Sequence, residues 1–187
     1  MAELRDNFFI LTGGPGSGKS TLINALRTLG VASVPESGRR IIQTQQVIGG
    51  DVLPWKDPMA YAQMELGVGL VTYCETDPTQ KTVFDRGILD PLGFLTAIGQ
   101  EIPEYMHEAT RRFRYNRTVF IAPPWKKIYA RDAERKQNFR EASATYEAMV
   151  KVYDKSGYKL VELPCANVEE RTEFVKEKMM ASQPEMT

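Results

Sequence analysis

The sequence holds a single histidine, His107, and only two cysteines, Cys74 and Cys165. One histidine excludes any mechanism built on a histidine pair. Two cysteines without metal-type spacing exclude a disulfide scaffold and a cysteine metal site, and two reduced thiols are expected. Neither sign of charge is in excess, with 24 Lys and Arg against 24 Asp and Glu. A dedicated polyanion binder carries a basic surplus, so nucleic acid is not an expected partner. No apolar run nears the roughly 20 residues of a membrane span. The opening MAELRDNFFILTGG lacks the basic start and long apolar stretch of a secretion signal. A cytoplasmic chain that contacts no membrane is therefore expected. What is present is ordinary: 187 residues, 42% hydrophobic and 26% charged. That length suits a single domain over 1–187 whose core needs no metal or disulfide.

Short apolar runs alternate with longer amphipathic ones. Phe8 to Thr12, Val31 to Pro35, Thr82 to Phe84, Thr118 to Ala122 and Lys159 to Leu163 read as strands. Lys19 to Leu29, Glu36 to Ile48, and a segment from Pro58 to about Glu75 read as helices, the last with Asp57 as its cap. Asp90 to Ile98 and Pro103 to Arg114 read as two shorter helices. Trp125 to Lys136 reads as a polar helix or lid. Ala142, Tyr146, Met149, Val150 and Tyr153 recur at helical spacing, so Arg140 to Lys155 is amphipathic. Val168, Phe174, Val175 and Met179 carry a last helix against the core. Alternating strand and helix predicts an α/β fold with a mainly parallel sheet.

One motif is sharp. Gly13, Gly14, Pro15, Gly16, Ser17, Gly18, Lys19 and Ser20 fit G-x-x-x-x-G-K followed by Ser or Thr, between a predicted strand and a predicted helix. Glycines let backbone N–H groups turn toward phosphate oxygens, and the helix adds its positive end. Lys19 is suited to the β- and γ-phosphates and Ser20 to Mg²⁺. Thr21 continues the segment. The cofactors implied are ATP and Mg²⁺. Asn-Lys-x-Asp and Leu-Ser-Gly-Gly-Gln are both missing, which argues against a GTPase and an ABC-type ATPase. The third strand ends in Asp85-Arg86 rather than Asp-Glu, which leans toward transfer rather than hydrolysis.

The segments GGPGSGKS, VPESGRRIIQ, VFDRGILD, VFIAPPWKKIYARDAERKQ and ELPCANVEER, in that order, resemble the small P-loop kinases: nucleoside, nucleotide and nicotinamide-riboside kinases. More narrowly, the chain resembles the predicted AAA-type ATPase/kinase family that groups with the nicotinamide-riboside kinase domain. The resemblance runs from Phe8 to about Lys178. It implies a P-loop NTPase fold of three α/β/α layers, with a five-stranded parallel sheet in the order 2-3-1-4-5 and a small helical lid at about 125–140. It also implies a phosphotransferase that moves the γ-phosphoryl of Mg-ATP to a small-molecule acceptor with a hydroxyl or phosphate, such as a nucleoside or nucleotide.

The same resemblance suggests roles. Glu36, just after the second strand, stands where nucleoside kinases carry the carboxylate that takes the acceptor's proton. A helix N-terminal carboxylate is the alternative. Asp85 and Arg86 match the Asp-Arg or Glu-Arg pair of such kinases, with Asp85 on Mg²⁺ through water and Arg86 on the transferring phosphoryl or the acceptor. A simple ion pair is the alternative. Arg131 and Arg135 share a helical face where the lid is expected, although Asp132 and Glu134 beside them allow a solvated, salt-bridged helix. Lys136 and Arg140 are weaker lid members. Pro164, Cys165 and Ala166 follow the fifth strand, where related kinases border adenine.

From the residues themselves, Arg39, Arg40 and Gln43 lie three, four and seven positions after Glu36 and would share its face toward a polar acceptor. Trp55 could stack on a flat acceptor or simply fill the core. A deep pocket between Glu36 and Asp85, lined by Arg40 and aromatic residues, would mark a kinase. A plugged one would mark a nucleotide-dependent switch or slow NTPase acting through a protein partner. The run RRFRYNR, with Arg111, Arg112, Arg114 and Arg117, reads as a solvated helix end, with contact to nucleic-acid ends as the alternative.

Overall fold

The computed structural model describes residues 3–129 and 138–182. Along the chain run β1 (Glu3–Arg5), β2 (Phe8–Gly13), α1 (Lys19–Thr28), β3 (Ala32–Val34), α2 (Ser37–Ile48), α3 (Pro58–Glu75) and β4 (Thr82–Asp85). They are followed by α4 (Asp90–Ala97), α5 (Glu104–Arg112), β5 (Phe113–Tyr115), β6 (Thr118–Ala122), α6 (Phe139–Lys155), β7 (Lys159–Glu162) and α7 (Val168–Ala181).

Five strands form one parallel sheet in the order β3-β4-β2-β6-β7. Counted among themselves in chain order, this is the expected 2-3-1-4-5. The central strand β2 is buried on both faces, as a parallel strand between helices must be. Phe8 and Ile10 point into a core shared with Leu66 of α3, Leu92 of α4 and Met149 of α6. Phe9 and Leu11 point into a second core with Leu22 and Leu26 of α1 and Val175 of α7. Helices therefore lie on both sheet faces, giving three layers. Each fully buried side chain of this size contributes about 1.5–3 kcal/mol to folding.

The caps explain several helix starts. Asp57 accepts from the Ala60 N–H with Pro58 opening α3, as expected. Asn138 and Glu141 form a reciprocal capping box on α6. Asn167 accepts from the Glu170 N–H at α7. Glu36 differs: it occupies the cap position of α2 with extended backbone, and its side chain makes no cap hydrogen bond.

One expectation is corrected. The helix expected to reach Arg114 ends at Arg112, and Phe113–Tyr115 is strand β5, paired in parallel with β1 as a separate two-stranded sheet. The Tyr73 hydroxyl donates toward Glu3 O and Arg114 O at 2.9 and 2.8 Å, and Tyr115 is buried beside Tyr73. Aromatic packing at a strand position outweighs the helical continuation of the arginine run. Of the segment Trp125 to Lys136, expected as a polar helix or lid, the structure describes 125–129, where the Ile128 N–H donates to Trp125 O in a turn. It follows Pro123-Pro124, which lack N–H donors. Arg131, Arg135 and Lys136 lie outside the described residues. Among the described residues, no helix is long and apolar enough to cross a membrane.

Candidate active site

The loop between β2 and α1 is shaped by its own backbone. Gly13 has φ 127°, and a Cβ there would meet Ala122 O at 2.4 Å, so only glycine fits. The Lys19 side chain folds back over the loop and donates from Nζ to Gly14 O at 2.8 Å and Gly13 O at 3.0 Å. The Ser17 hydroxyl donates to Gly14 O at 2.8 Å. Ser20 and Thr21 stand exposed on the first turn of α1. All eight motif residues thus lie at the carboxyl end of the central strand, where ligands collect in parallel α/β sheets.

Beside the loop lies a buried charged cluster centred on Arg86. Its Nε donates to Glu36 Oε1 at 2.8 Å and a terminal nitrogen donates to Asp90 Oδ1 at 3.0 Å. Arg86 has φ 75°, the one non-glycine residue in the left-handed region among the described residues. Such a backbone costs on the order of 1 kcal/mol or more and persists only where its surroundings hold it. Asp90 is the anchor that holds it. This carboxylate also accepts from the Thr12 hydroxyl at 2.6 Å, the Tyr153 hydroxyl at 2.6 Å and the Gly87 N–H at 2.9 Å. Burial works to lower the Arg86 pKa, but Glu36, Asp90 and Glu65 together hold it well above the ordinary value. Burial raises the Tyr153 phenol well above its usual range, with Asp90 adding to the effect. Glu65, buried in the same cluster, is pushed up to about 8 by burial, against the pull of Arg86, with Asp90 and Glu36 reinforcing the rise.

A cavity of about 450 Å³ opens against this cluster. Glu36, Arg39, Glu65, Arg86 and Asp90 make its polar wall. Trp55, Tyr61 and Phe94 make an aromatic wall, with Tyr61 edge-on to Phe94 at 5.6 Å between centroids. Pro15 brings the phosphate loop to the cavity's edge, and Glu141 and Thr145 close it from α6.

The cavity brings together Glu36, Arg39, Trp55 and Arg86, while the Lys19 side chain stays folded over the loop. Arg40 and Gln43 do not line the cavity and are exposed on α2. The expected pocket between Glu36 and Asp85 is corrected to one between Glu36 and Asp90, lined by Arg39 in place of Arg40. Glu36 lies outside α2, so counting helical spacing from it gives the wrong phase. Asp85 is buried at the end of β4, off the cavity wall. Among the described residues no cluster of three His, Cys, Asp or Glu side chains could hold a metal alone. The hydroxyl of Ser20 and the carboxylate of Asp85 are hard oxygen donors. They fit Mg²⁺, an ion that takes one or two protein oxygens and completes its shell with phosphates and water.

Three site residues escaped the sequence reading. Asp90 carried a signal, four residues after Arg86 at the start of a helix. Glu65 is the sole charged residue between Pro58 and Cys74. Arg171 of α7 is 3% exposed, and both terminal nitrogens donate to Ser17 O at 3.2 Å. It sits at the buried face with Val175 and Met179, four and eight residues on.

The basic run is used elsewhere. Arg111 pairs with Glu104 and Glu108, and Arg112 with Glu108. Arg114 donates to Ser156 O at 2.9 Å and lies 4.1 Å over the Tyr158 ring. These are the contacts of a solvated helix end at Arg111 and Arg112, and of a strand at Arg114. Cys74 and Cys165 are free and exposed.

A family model described as an AAA domain matches residues 8–171. Among curated proteins nothing matches. Among solved structures, the deoxyadenosine kinase of M. mycoides, with dCMP and dCDP bound, aligns over 94% of this chain and 100% of its own. Its identity is 14% and its TM-score 0.66. The thymidylate kinase of Candida albicans covers 95% of this chain and 92% of its own at 11% identity and TM-score 0.66. The shikimate kinase of Aquifex aeolicus covers 93% and 96% at 16% identity and TM-score 0.53. The fold is that of the small P-loop kinases.

Proposed function

This chain belongs to the AAA domain family, and from that premise we propose that it is a Mg-ATP-dependent phosphotransferase acting on a small-molecule acceptor. The observation that carries this reading is the cavity itself. It runs from the phosphate loop at Pro15 to Glu36 and Arg86 and is walled by Trp55, Tyr61 and Phe94. A phosphoryl donor on the loop and an acceptor in the cavity would be neighbours, which is the main requirement of phosphoryl transfer. A switch that acts only through a protein partner needs no such chamber.

In this reading ATP lies on 13–21. Lys19 neutralises the β- and γ-phosphates. Mg²⁺ held by Ser20 and, through water, Asp85 would offset charge on the phosphates. Glu36 orients the acceptor hydroxyl and takes its proton as the new P–O bond forms and the bond from the γ-phosphorus to the ADP oxygen breaks, releasing ADP. Arg86, fixed by Asp90, faces the transferring group. Arg39 and Trp55 flank the acceptor, with a nucleoside or nucleotide as the leading class. Arg131 and Arg135, in a lid at about 125–140, would close over the phosphates and exclude water that competes with the acceptor. In this reading the groups named belong to one domain. The two exposed thiols fit a reducing compartment such as the cytoplasm.

The test is ADP release from Mg-ATP with a panel of nucleosides, nucleoside monophosphates and sugars, in wild type and Glu36→Gln. Release stimulated by one acceptor and lost in Glu36→Gln is expected. Slow release indifferent to every acceptor and to Glu36 would overturn the proposal.

A further inference from the structure

Arg171 is a buried cation that the reaction scheme above does not use. It is 3% exposed, and no carboxylate of the described residues forms an ion pair with it. Its two terminal nitrogens reach one acceptor, Ser17 O, at 3.2 Å each, and its Nε has no hydrogen-bond partner. Burial lowers its pKa from the ordinary value, with Cys165 opposing, yet a guanidinium stays charged throughout the physiological range. A buried charge without a counter-charge is costly, and folding alone gives no reason to keep it.

Its position supplies a reason. Ser17 precedes Gly18, the left-handed residue that caps α1. A Cβ on Gly18 would meet an Arg171 terminal nitrogen at 2.8 Å and the Ile128 Cδ1 at 3.0 Å. The guanidinium therefore lies against the turn that starts α1. That turn is where the N–H groups and the positive helix end converge on an anion. Holding the Ser17 carbonyl from outside fixes that peptide, and a desolvated positive charge behind the turn strengthens the loop's attraction for anions.

We infer that Arg171 is a positioning residue of the phosphate loop: it clamps the Ser17 carbonyl from α7, and its counter-charge is the polyphosphate of the bound nucleotide. This rests on the reading of residues 13–20 as a phosphate site. The clamp acts through the loop and needs no contact with substrate.

The experiment measures binding of inorganic tripolyphosphate and of ATP by calorimetry, and the Tm of the ligand-free protein, in wild type, Arg171→Met and Arg171→Lys. Arg171→Met removes a charge that no described residue matches, so its ligand-free Tm is kept or raised. Its affinity for both ligands falls on the order of tenfold or more, the scale of a hydrogen-bonded charge. Arg171→Lys keeps the charge but loses the two-pronged grip, and binds between the two. A structural brace would behave in the opposite way, with Tm lowered and tripolyphosphate affinity unchanged in both variants, and that result overturns the inference. Wild-type protein that binds neither ligand overturns the phosphate-loop reading and this inference with it. Wild-type binding matched by both variants overturns this inference alone.

Discussion

Arg86 and Arg171 are both buried guanidiniums near the carboxyl edge of the sheet, and their surroundings are opposite. Arg86 is bonded to two carboxylates, Glu36 and Asp90, with the Glu65 side chain beside them, and its pKa is held well above the ordinary value. Arg171 donates to a single backbone carbonyl, and its pKa is lowered by burial. A neutralised cation organises geometry: Arg86 ties β4, α4 and the start of α2 into one wall of the cavity. An unneutralised one leaves field for an incoming anion. The cavity side of the site is thus built on matched charge, and the loop side on a cation left unmatched by the described residues.

The largest effect should come from breaking the matched side. Arg86→Met leaves the carboxylates of Glu36 and Asp90 without their cation. A loss of about 3–5 kcal/mol in unfolding free energy is expected, as for one partner removed from a buried ion pair, read by urea denaturation. Arg171→Met, although Arg171 is the more buried of the two, should show no such loss. A smaller effect is expected at Tyr153→Phe, which removes one donor from the Asp90 carboxylate. About 1.5–3 kcal/mol is the scale of a hydrogen bond to a charged group, with the cavity otherwise unaltered.

Glu65 sharpens the comparison through pH. Its folded pKa of about 8 lies above the ordinary carboxylate value of 4.5. The folded state therefore holds a proton that the unfolded state releases. Stability falls as pH rises from about 4.5 to about 8 and levels off above that. Glu65→Gln should flatten that part of the profile, and an unchanged slope in Tm against pH would remove the assignment. The smallest effect belongs to the surface. Arg111→Ala breaks exposed pairs with Glu104 and Glu108 and should leave Tm and ADP release unchanged. A large change there would return the basic run to functional consideration.

Much of the fold was legible because its signals are local. Eight contiguous residues spell the phosphate loop, and alternating apolar runs mark the five sheet strands and the longer helices. The pairing of β1 with β5 was not, since two three-residue strands joined through the Tyr73 hydroxyl leave no local pattern. The candidate site divides in the same way. Glu36 and Arg86 could be found from their places after strands. Asp90, Glu65 and Arg171 reach the site only through tertiary packing, each as a lone charge on an otherwise apolar helix face. Arg39 and Arg40, three and four positions after Glu36, are both expected on its face; Glu36 caps the helix from outside it, and only Arg39 lines the cavity.

The most direct test of the central claim follows the γ-phosphoryl itself. Protein, Mg²⁺ and γ-labelled ATP are incubated with the acceptor panel, and labelled acceptor is separated from labelled inorganic phosphate. The account predicts label on one acceptor class, and its loss by about a hundredfold or more in Lys19→Met, the scale of removing a group that stabilises transition-state charge. Label recovered only as inorganic phosphate, at a rate no acceptor changes, would contradict it.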